Sequence, residues 1–167
     1  MLNFTLLAKH HPKNEFACGK EMLDVYLHHQ ANQDVKRKLS VCFVLIDNET
    51  GLIKGYYTLA NHSIPLSSIP IHFQKKLPKS YKSIPTTLLG RLAVDIRFKR
   101  NGIGKILLIY ALKRSYQIAK NIGSFAVIVD PIDFEAEQFY YKFEFVKLPD
   151  SGKMFLPMQT LKMLFEI

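Results

Sequence analysis

The segment Leu88–Ile106, LLGRLAVDIRFKRNGIGKI, constrains this chain more than any other stretch. It reads as a strand from Leu88 to Asp95, a basic turn from Arg97 to Asn101, and two glycines that open a long amphipathic helix. A helix start leaves about four backbone N–H groups without intrahelical partners and carries about half a unit of positive charge from its aligned dipoles. Such an end receives phosphate. Gly102 and Gly104 let the backbone approach an anion with no Cβ in the way, and Arg97, Lys99 and Arg100 add positive charge beside it. The plainer alternative is an ordinary strand–turn–helix connection with a tight glycine turn. Two common phosphate loops are excluded by position. Gly104-Lys105 is followed by Ile106, so the hydroxyl of a Walker A loop is missing, and Leu107 stands where a dinucleotide fingerprint needs its third glycine.

A second signature lies downstream. Phe125–Val129 is an apolar run rich in β-branched residues, the pattern of a buried strand. It ends at Asp130-Pro131, and Asp133 is placed to cap a helix carrying Glu135, Ala136, Phe139 and Tyr140. Phe139, Phe143 and Phe145 are expected to serve the core.

The remaining chain is expected to form strands over 2–7, 40–47 and 53–63, the last two joined around Asn48-Glu49-Thr50-Gly51. A helix is expected from Gly19 to about Gln33, with Leu23, Tyr26 and Leu27 inward. Four prolines and a lysine cluster make 65–85 the least regular region. The main helix runs from Gly104 to Ile122, burying Leu107, Leu108, Ala111, Leu112, Ile118 and Ala119, and Gly123 stops it. A short strand closes the chain. Strands followed by a β–α–β unit give an α/β or α+β sheet domain, expected to be single over 1–167.

Composition bounds the function. No apolar run is long enough to span a membrane, and no secretory leader is apparent. Cys18 and Cys42 give neither a disulfide framework nor metal-ligand spacing, which fits a reducing cytoplasm. The pairs His10-His11 and His28-His29 are expected at the surface, since helical neighbours diverge by about 100° and chelate poorly. Formal net charge is +9, with clusters at Lys36-Arg37-Lys38, Lys75-Lys76-Lys79-Lys82 and Arg97-Lys99-Arg100. Basic surface of this kind attracts nucleic acid through counterion release or an acidic protein partner, or is simply solvated.

Lys99-Arg100-Asn101-Gly102-Ile103-Gly104 resembles motif A of the GNAT acetyltransferases, Gln/Arg-x-x-Gly-x-Gly/Ala, with lysine in the first slot. The run Glu137–Phe145 resembles motif B, A-x-x-F-Y-x-x-x-G-F, with Glu144 in place of the glycine, so a differently built turn is expected there. Phe16-Ala17-Cys18-Gly19 through Leu27, Gly55–Ala60, Leu89–Asp95 and Phe155-Leu156-Pro157 resemble the branch holding toxin–antitoxin toxins that acetylate aminoacyl-tRNA.

The resemblance implies a GNAT fold: a mixed, mostly antiparallel, splayed sheet flanked by helices. It implies acetyl-CoA as co-substrate and no metal. Leu92, Ala93 and Val94 would polarise the thioester oxygen through their backbone. Lys99, Arg100, Asn101, Gly102, Ile103, Gly104 and Lys105 would bind the pyrophosphate, and Tyr140 would act as general acid. Candidate partners are acetyl-CoA, aminoacyl-tRNA, a ribbon-helix-helix antitoxin and a second copy of the chain. The alternatives are a GNAT enzyme for a protein N-terminus, lysine or small amine, and a noncatalytic RNA- or partner-binding module on the same fold. A free α-amine, with pKa near 8 against about 10.4 for lysine, needs little general base at cellular pH. That accords with the absence of a paired Glu or His base among the motifs.

Overall fold

Alternating apolar side chains punctuated by turns form seven strands that join in one mixed sheet. The computed structural model describes residues 1–166. Strands β1 (Asn3–Leu6), β2 (Val41–Ile46), β3 (Ile53–Pro65), β4 (Ser83–Val94), β5 (Ala126–Val129), β6 (Val146–Lys147) and β7 (Met154–Pro157) lie in the order β1-β2-β3-β4-β5-β7-β6. The β1–β2, β2–β3, β5–β7 and β6–β7 pairs are antiparallel, while β4 and β5 run parallel through Thr87–Val127 and Leu88–Ile128. All four residues of β5 are buried, as its uninterrupted apolar run requires of a strand covered on both faces. The helices are α1 (Glu21–Val25), α2 (Ala31–Lys36), α3 (Ile71–Gln74), α4 (Ile103–Ala119), α5 (Phe134–Tyr141) and α6 (Met158–Phe165). The mixed, mostly antiparallel sheet with flanking helices is the architecture that the resemblance implied, and it holds seven strands, of which β6 was not expected. No helix among the described residues is long and apolar enough to cross a membrane.

Two compact units divide the chain. The first holds Met1–Ala60 and Leu89–Ala111. Its core gathers Phe16, Leu23, Tyr26, Leu27, Cys42, Val44, Tyr56 and Ala93. Gly55 on β3 is required by packing: a Cβ there would stand 2.7 Å from Leu107 Cδ1 and 2.8 Å from the Ala93 carbonyl. Only glycine lets α4 and β4 approach β3 this closely. The second unit holds Asn61–Leu88 and Leu112–Ile167, with Ile64, Ile69, Ile84, Ala126, Ile128, Leu148 and Phe155 in its core.

Several local expectations are corrected. The first helix continues to Lys36, and between α1 and α2 it widens into a π-helical turn, Tyr26–Gln30, closed by the Ala31 N–H donating to the Tyr26 carbonyl. Strand β4 starts at Ser83 rather than Leu88. Pro85 is tolerated because the ladder uses its carbonyl, which accepts from the Phe125 N–H at 2.8 Å. Helix α6 was not expected; Met158 and Leu161, one turn apart, bury its inner side directly after Pro157. Ile118, expected inward on α4, is exposed. Two histidines are structural rather than surface groups. His11 is buried and its Nδ1 accepts from the Ala8 N–H at 2.9 Å, and His28 Nε2 lies 2.7 Å from the Phe16 carbonyl.

Candidate active site

The first unit carries a phosphate-receptive helix end. The helical ladder of α4 begins where Ile106 N–H donates to the Gly102 carbonyl at 3.1 Å. The amides of Gly102, Ile103, Gly104 and Lys105 therefore precede the ladder and point out of the helix end. Arg100 and Gly102 both have left-handed backbones, with φ of 69° and 73°. Glycine accepts that conformation at no steric cost, whereas Arg100 is strained by about 1–2 kcal/mol. A Cβ on Gly102 would meet nothing within 4 Å, so its role is the turn rather than close packing. Gly104 already lies inside α4 and serves no left-handed turn. Lys99, Arg100 and Lys105 are exposed around this end.

Arg97 is differently placed. Its guanidinium grips Asp95, Nε donating to Oδ1 and Nη2 to Oδ2, both at 2.9 Å. It also donates to the Glu15 carbonyl at 2.9 Å. Its charge is thus paired with Asp95, although the side chain itself stays exposed, which leaves it less free to meet an anion than Lys99 and Arg100. Asp95, with no exposed surface, additionally accepts from the Arg97 N–H at 2.8 Å and the Ala17 N–H at 3.1 Å. Burial pushes the Asp95 carboxyl up, but the Arg97 guanidinium and these amides outweigh it and hold the group below the usual carboxylate range. The Ile96 N–H donates back to the Ala17 carbonyl at 2.9 Å. The Phe16–Gly19 segment therefore braces the loop between β4 and α4, a role invisible in its spelling.

Asp95 is a residue that sequence reasoning missed. The signal was available: it is the only acidic side chain between Glu49 and Asp130, amid thirteen Lys and Arg. Leu92 and Val94 are half-buried and Ala93 is buried on the same strand, β4. The loop residues and Leu92–Val94 thus fall in one unit, and Tyr140 belongs to the other.

In the second unit, Asp133 caps α5 as expected, its carboxylate accepting from the Ala136 N–H at 2.8 Å. The helix ends in a Schellman motif. Phe145 N–H donates to the Tyr140 carbonyl at 3.3 Å and Glu144 N–H to the Tyr141 carbonyl at 3.1 Å. Glu144 sits at φ 69°, so the left-handed turn is built with glutamate, against the expectation of a different turn. The motif brings the Phe145 ring to 5.2 Å from that of Tyr140, with Phe139 at 5.3 Å on the same tyrosine. Tyr140 is buried, and burial pushes its hydroxyl pKa up. Phe145 is core, whereas Phe139 and Phe143 are half-buried.

Among the described residues no group of three or more His, Cys, Asp or Glu is placed to hold a metal ion. Cys18 and Cys42 are free and buried, and burial pushes their thiols up, Cys18 to about 11 and Cys42 to about 12. Neither is an activated nucleophile.

Comparison with known proteins gives one family. A tRNA-acetylating toxin of Mycobacterium tuberculosis is 35% identical over 130 residues, covering 78% of this chain and 75% of that protein. A probable toxin TacT of Sinorhizobium fredii is 28% identical over 162 residues, covering 92% and 89%. Among solved structures, a tyrosine-to-phenylalanine mutant of KacT has a TM-score of 0.91 at 25% identity, covering 98% of this chain and 99% of that one. AtaT complexed with acetyl-methionyl-tRNAfMet has a TM-score of 0.90 at 26% identity, covering 99% of both chains. AtaTR bound with AcCoA has 0.86 at 27%, covering 98% of both. No protein-family model matches the chain.

Proposed function

This chain belongs to the family of tRNA-acetylating toxins, and we propose that it is an acetyl-CoA-dependent N-acetyltransferase that modifies the amino group of an aminoacyl-tRNA and so blocks translation. The observation that carries the reading is the open end of α4, where left-handed Gly102 and the unladdered amides make an anion receptor at the position of the family's motif. Residues 1–167 act in this reading as one cytoplasmic enzyme, with acetyl-CoA, aminoacyl-tRNA and a ribbon-helix-helix antitoxin as partners.

When bound, acetyl-CoA supplies the thioester acetyl group and a thiolate leaving group. The amides of Gly102, Ile103, Gly104 and Lys105 hold its pyrophosphate, and Lys99, Arg100 and Asn101 flank it. Backbone N–H groups on the Leu92–Val94 stretch, where the strand would splay, serve the acetyl carbonyl oxygen, where negative charge develops. The acceptor α-amine is substantially neutral near pH 8, attacks without a strong base and loses its proton to solvent. Tyr140 gives its phenolic proton to the departing sulfur. A dry site raises the basicity of phenolate and thiolate alike, so the raised Tyr140 pKa does not block this transfer.

The test is mass spectrometry after incubation with acetyl-CoA and a mixed pool of aminoacyl-tRNA, protein and small amines. N-acetylated amino acids released from tRNA are expected. Acetyl groups found only on protein or small amines would reject the acceptor assigned here.

A further inference from the structure

Arg91 stands one residue before the Leu92–Val94 segment assigned above to the acetyl carbonyl. Side chains alternate along a strand, so Arg91 shares the face of Ala93, which packs with Tyr26, Cys42 and Tyr56. On that face its guanidinium carbon lies 3.5 Å from the centre of the Tyr26 ring. The stack is fixed from behind: Tyr26 Oη donates to Asp34 Oδ2 at 2.8 Å and lies 3.3 Å from Ser40 Oγ. Tyr26 is itself buried and opens the π-helical turn, a helix defect that recurs at functional sites.

The guanidinium makes no hydrogen bond or ion pair among the described residues, so all five of its donors are uncommitted. Asp34 is spent on Tyr26, and Asp95, the only carboxylate of residues 51–129, is spent on Arg97. A planar guanidinium, half-buried, held 3.5 Å over an aromatic ring and lacking an anion of its own, matches a phosphate in geometry and charge. Asp34 and Ser40, the anchors of that stack, bracket the Lys36-Arg37-Lys38 cluster in the sequence, and Arg37 and Lys38 are exposed.

We infer that Arg91 is a specificity residue that binds a phosphodiester at the aminoacylated end of the tRNA and so sets the acceptor amine beside the acetyl group. This rests on the acceptor assigned under the proposed function. It makes the enzyme prefer an aminoacyl ester carried on a nucleotide over the same ester without phosphate.

The experiment compares wild type, Arg91→Gln and Arg91→Lys, with thermal melting as the folding control. It measures tRNA binding by fluorescence anisotropy across a salt series, and KM and kcat for aminoacyl-tRNA and for a phosphate-free aminoacyl ester. Arg91→Gln should weaken tRNA binding about tenfold and lower the slope of log affinity against log salt by about one, the signature of one lost phosphate contact. Its KM should rise about tenfold more for aminoacyl-tRNA than for the ester. Arg91→Lys should keep the wild-type slope, because the charge remains. In unmutated protein, tRNA should shield Arg91 from an arginine-directed dicarbonyl reagent, a readout that holds even if Arg91→Gln does not fold. An unchanged slope in Arg91→Gln, an equal loss on both acceptors, or modification of Arg91 undiminished by tRNA overturns the inference while leaving the function standing. If wild type neither binds nor acetylates aminoacyl-tRNA, both fall.

Discussion

Tyr140 and Tyr141 are neighbours on α5 with opposite surroundings, 7% exposed against 41%. Adjacent helical side chains diverge by about 100°, so the two cannot serve one sulfur. Tyr140→Phe should therefore lower turnover about 10²–10⁴-fold, the usual worth of a general acid, while Tyr141→Phe does much less. Ring packing against Phe145 survives that change, so acetyl-CoA affinity by calorimetry should hold. A reversed pattern would place the acid one residue along. The pH profile gives a second check. Burial raises the Tyr140 pKa above its ordinary value of 10.0, so the phenol stays protonated through neutral and mildly alkaline pH. The rate should rise with deprotonation of the acceptor amine near pH 8 and show no fall below pH of about 10. Glu144 offers a stability test on the same helix end. Its left-handed φ costs a non-glycine residue about 1–2 kcal/mol, against about 0.4–1 kcal/mol of unfolded-chain entropy lost to glycine. Glu144→Gly should thus stabilise the protein by about 0.5–1 kcal/mol, read from its urea midpoint. A lowered midpoint would mean the glutamate side chain contributes more than its backbone costs.

The loop between β4 and α4 works as an element because one buried carboxylate ties its start to Arg97 and Ala17. Asp95→Asn keeps the shape but removes the charge that Arg97 grips, so the loop should loosen and KM for acetyl-CoA should rise several-fold more than kcat falls. The stability lost in Asp95→Asn should also depend on pH in a fixed direction. A carboxyl whose folded pKa lies below its unfolded value of 3.8 stabilises the fold above pH 3.8, and the benefit fades as pH falls through the lower folded value. The wild-type advantage over Asp95→Asn in urea should therefore be full at pH 6 and shrink below about pH 4; a gap that is constant across this range would show the bond is not ionic. Gly104→Val tests the other end of the loop: cofactor affinity should drop while melting changes little, since Leu107 and Leu108 keep their burial. This element was the most legible part of the chain. Its strand, turn and helix follow from hydrophobic period and paired glycines, and the Asp133 cap from a single side chain. What spelling concealed was relational: the bracing by Ala17, the neutralisation of Arg97, the structural use of His11 and His28, and a left-handed turn formed without glycine. Helix α6 escaped because it begins directly after a strand and shows only two buried residues.

At the scale of the whole molecule, charge is the feature that secondary structure does not explain. The net charge is +9, and residues 51–129 hold thirteen cations against the single Asp95. Sheet order and apolar cores follow from hydrophobic pattern, but nothing in the core requires such an excess, whereas a polyanionic acceptor does. Part of it has a local reason. Lys36, Arg37 and Lys38 close α2 in a Schellman turn, Leu39 N–H donating to the Asp34 carbonyl at 2.9 Å and Lys38 at φ 62°. Cations at a helix C-terminus are worth about 0.3–1 kcal/mol each through the dipole, so acidic replacements would confuse binding with stability. Lys36→Gln, Arg37→Gln and Lys38→Asn forfeit that attraction without adding repulsion, asparagine being tolerant of the left-handed backbone that Lys38 adopts, and thermal melting reads the remaining stability cost. If the cluster meets the tRNA backbone, the triple variant should flatten the dependence of log KM on log salt by about two to three units for aminoacyl-tRNA, close to one per phosphate contact. A small amine acceptor carries no phosphates, so its salt dependence reflects acetyl-CoA alone and should be the same in both proteins. The difference between acceptors isolates docking from cofactor capture, which either acceptor needs. Equal salt sensitivity for tRNA and for the small amine in wild type would assign the cluster to helix capping and place tRNA docking elsewhere on the surface.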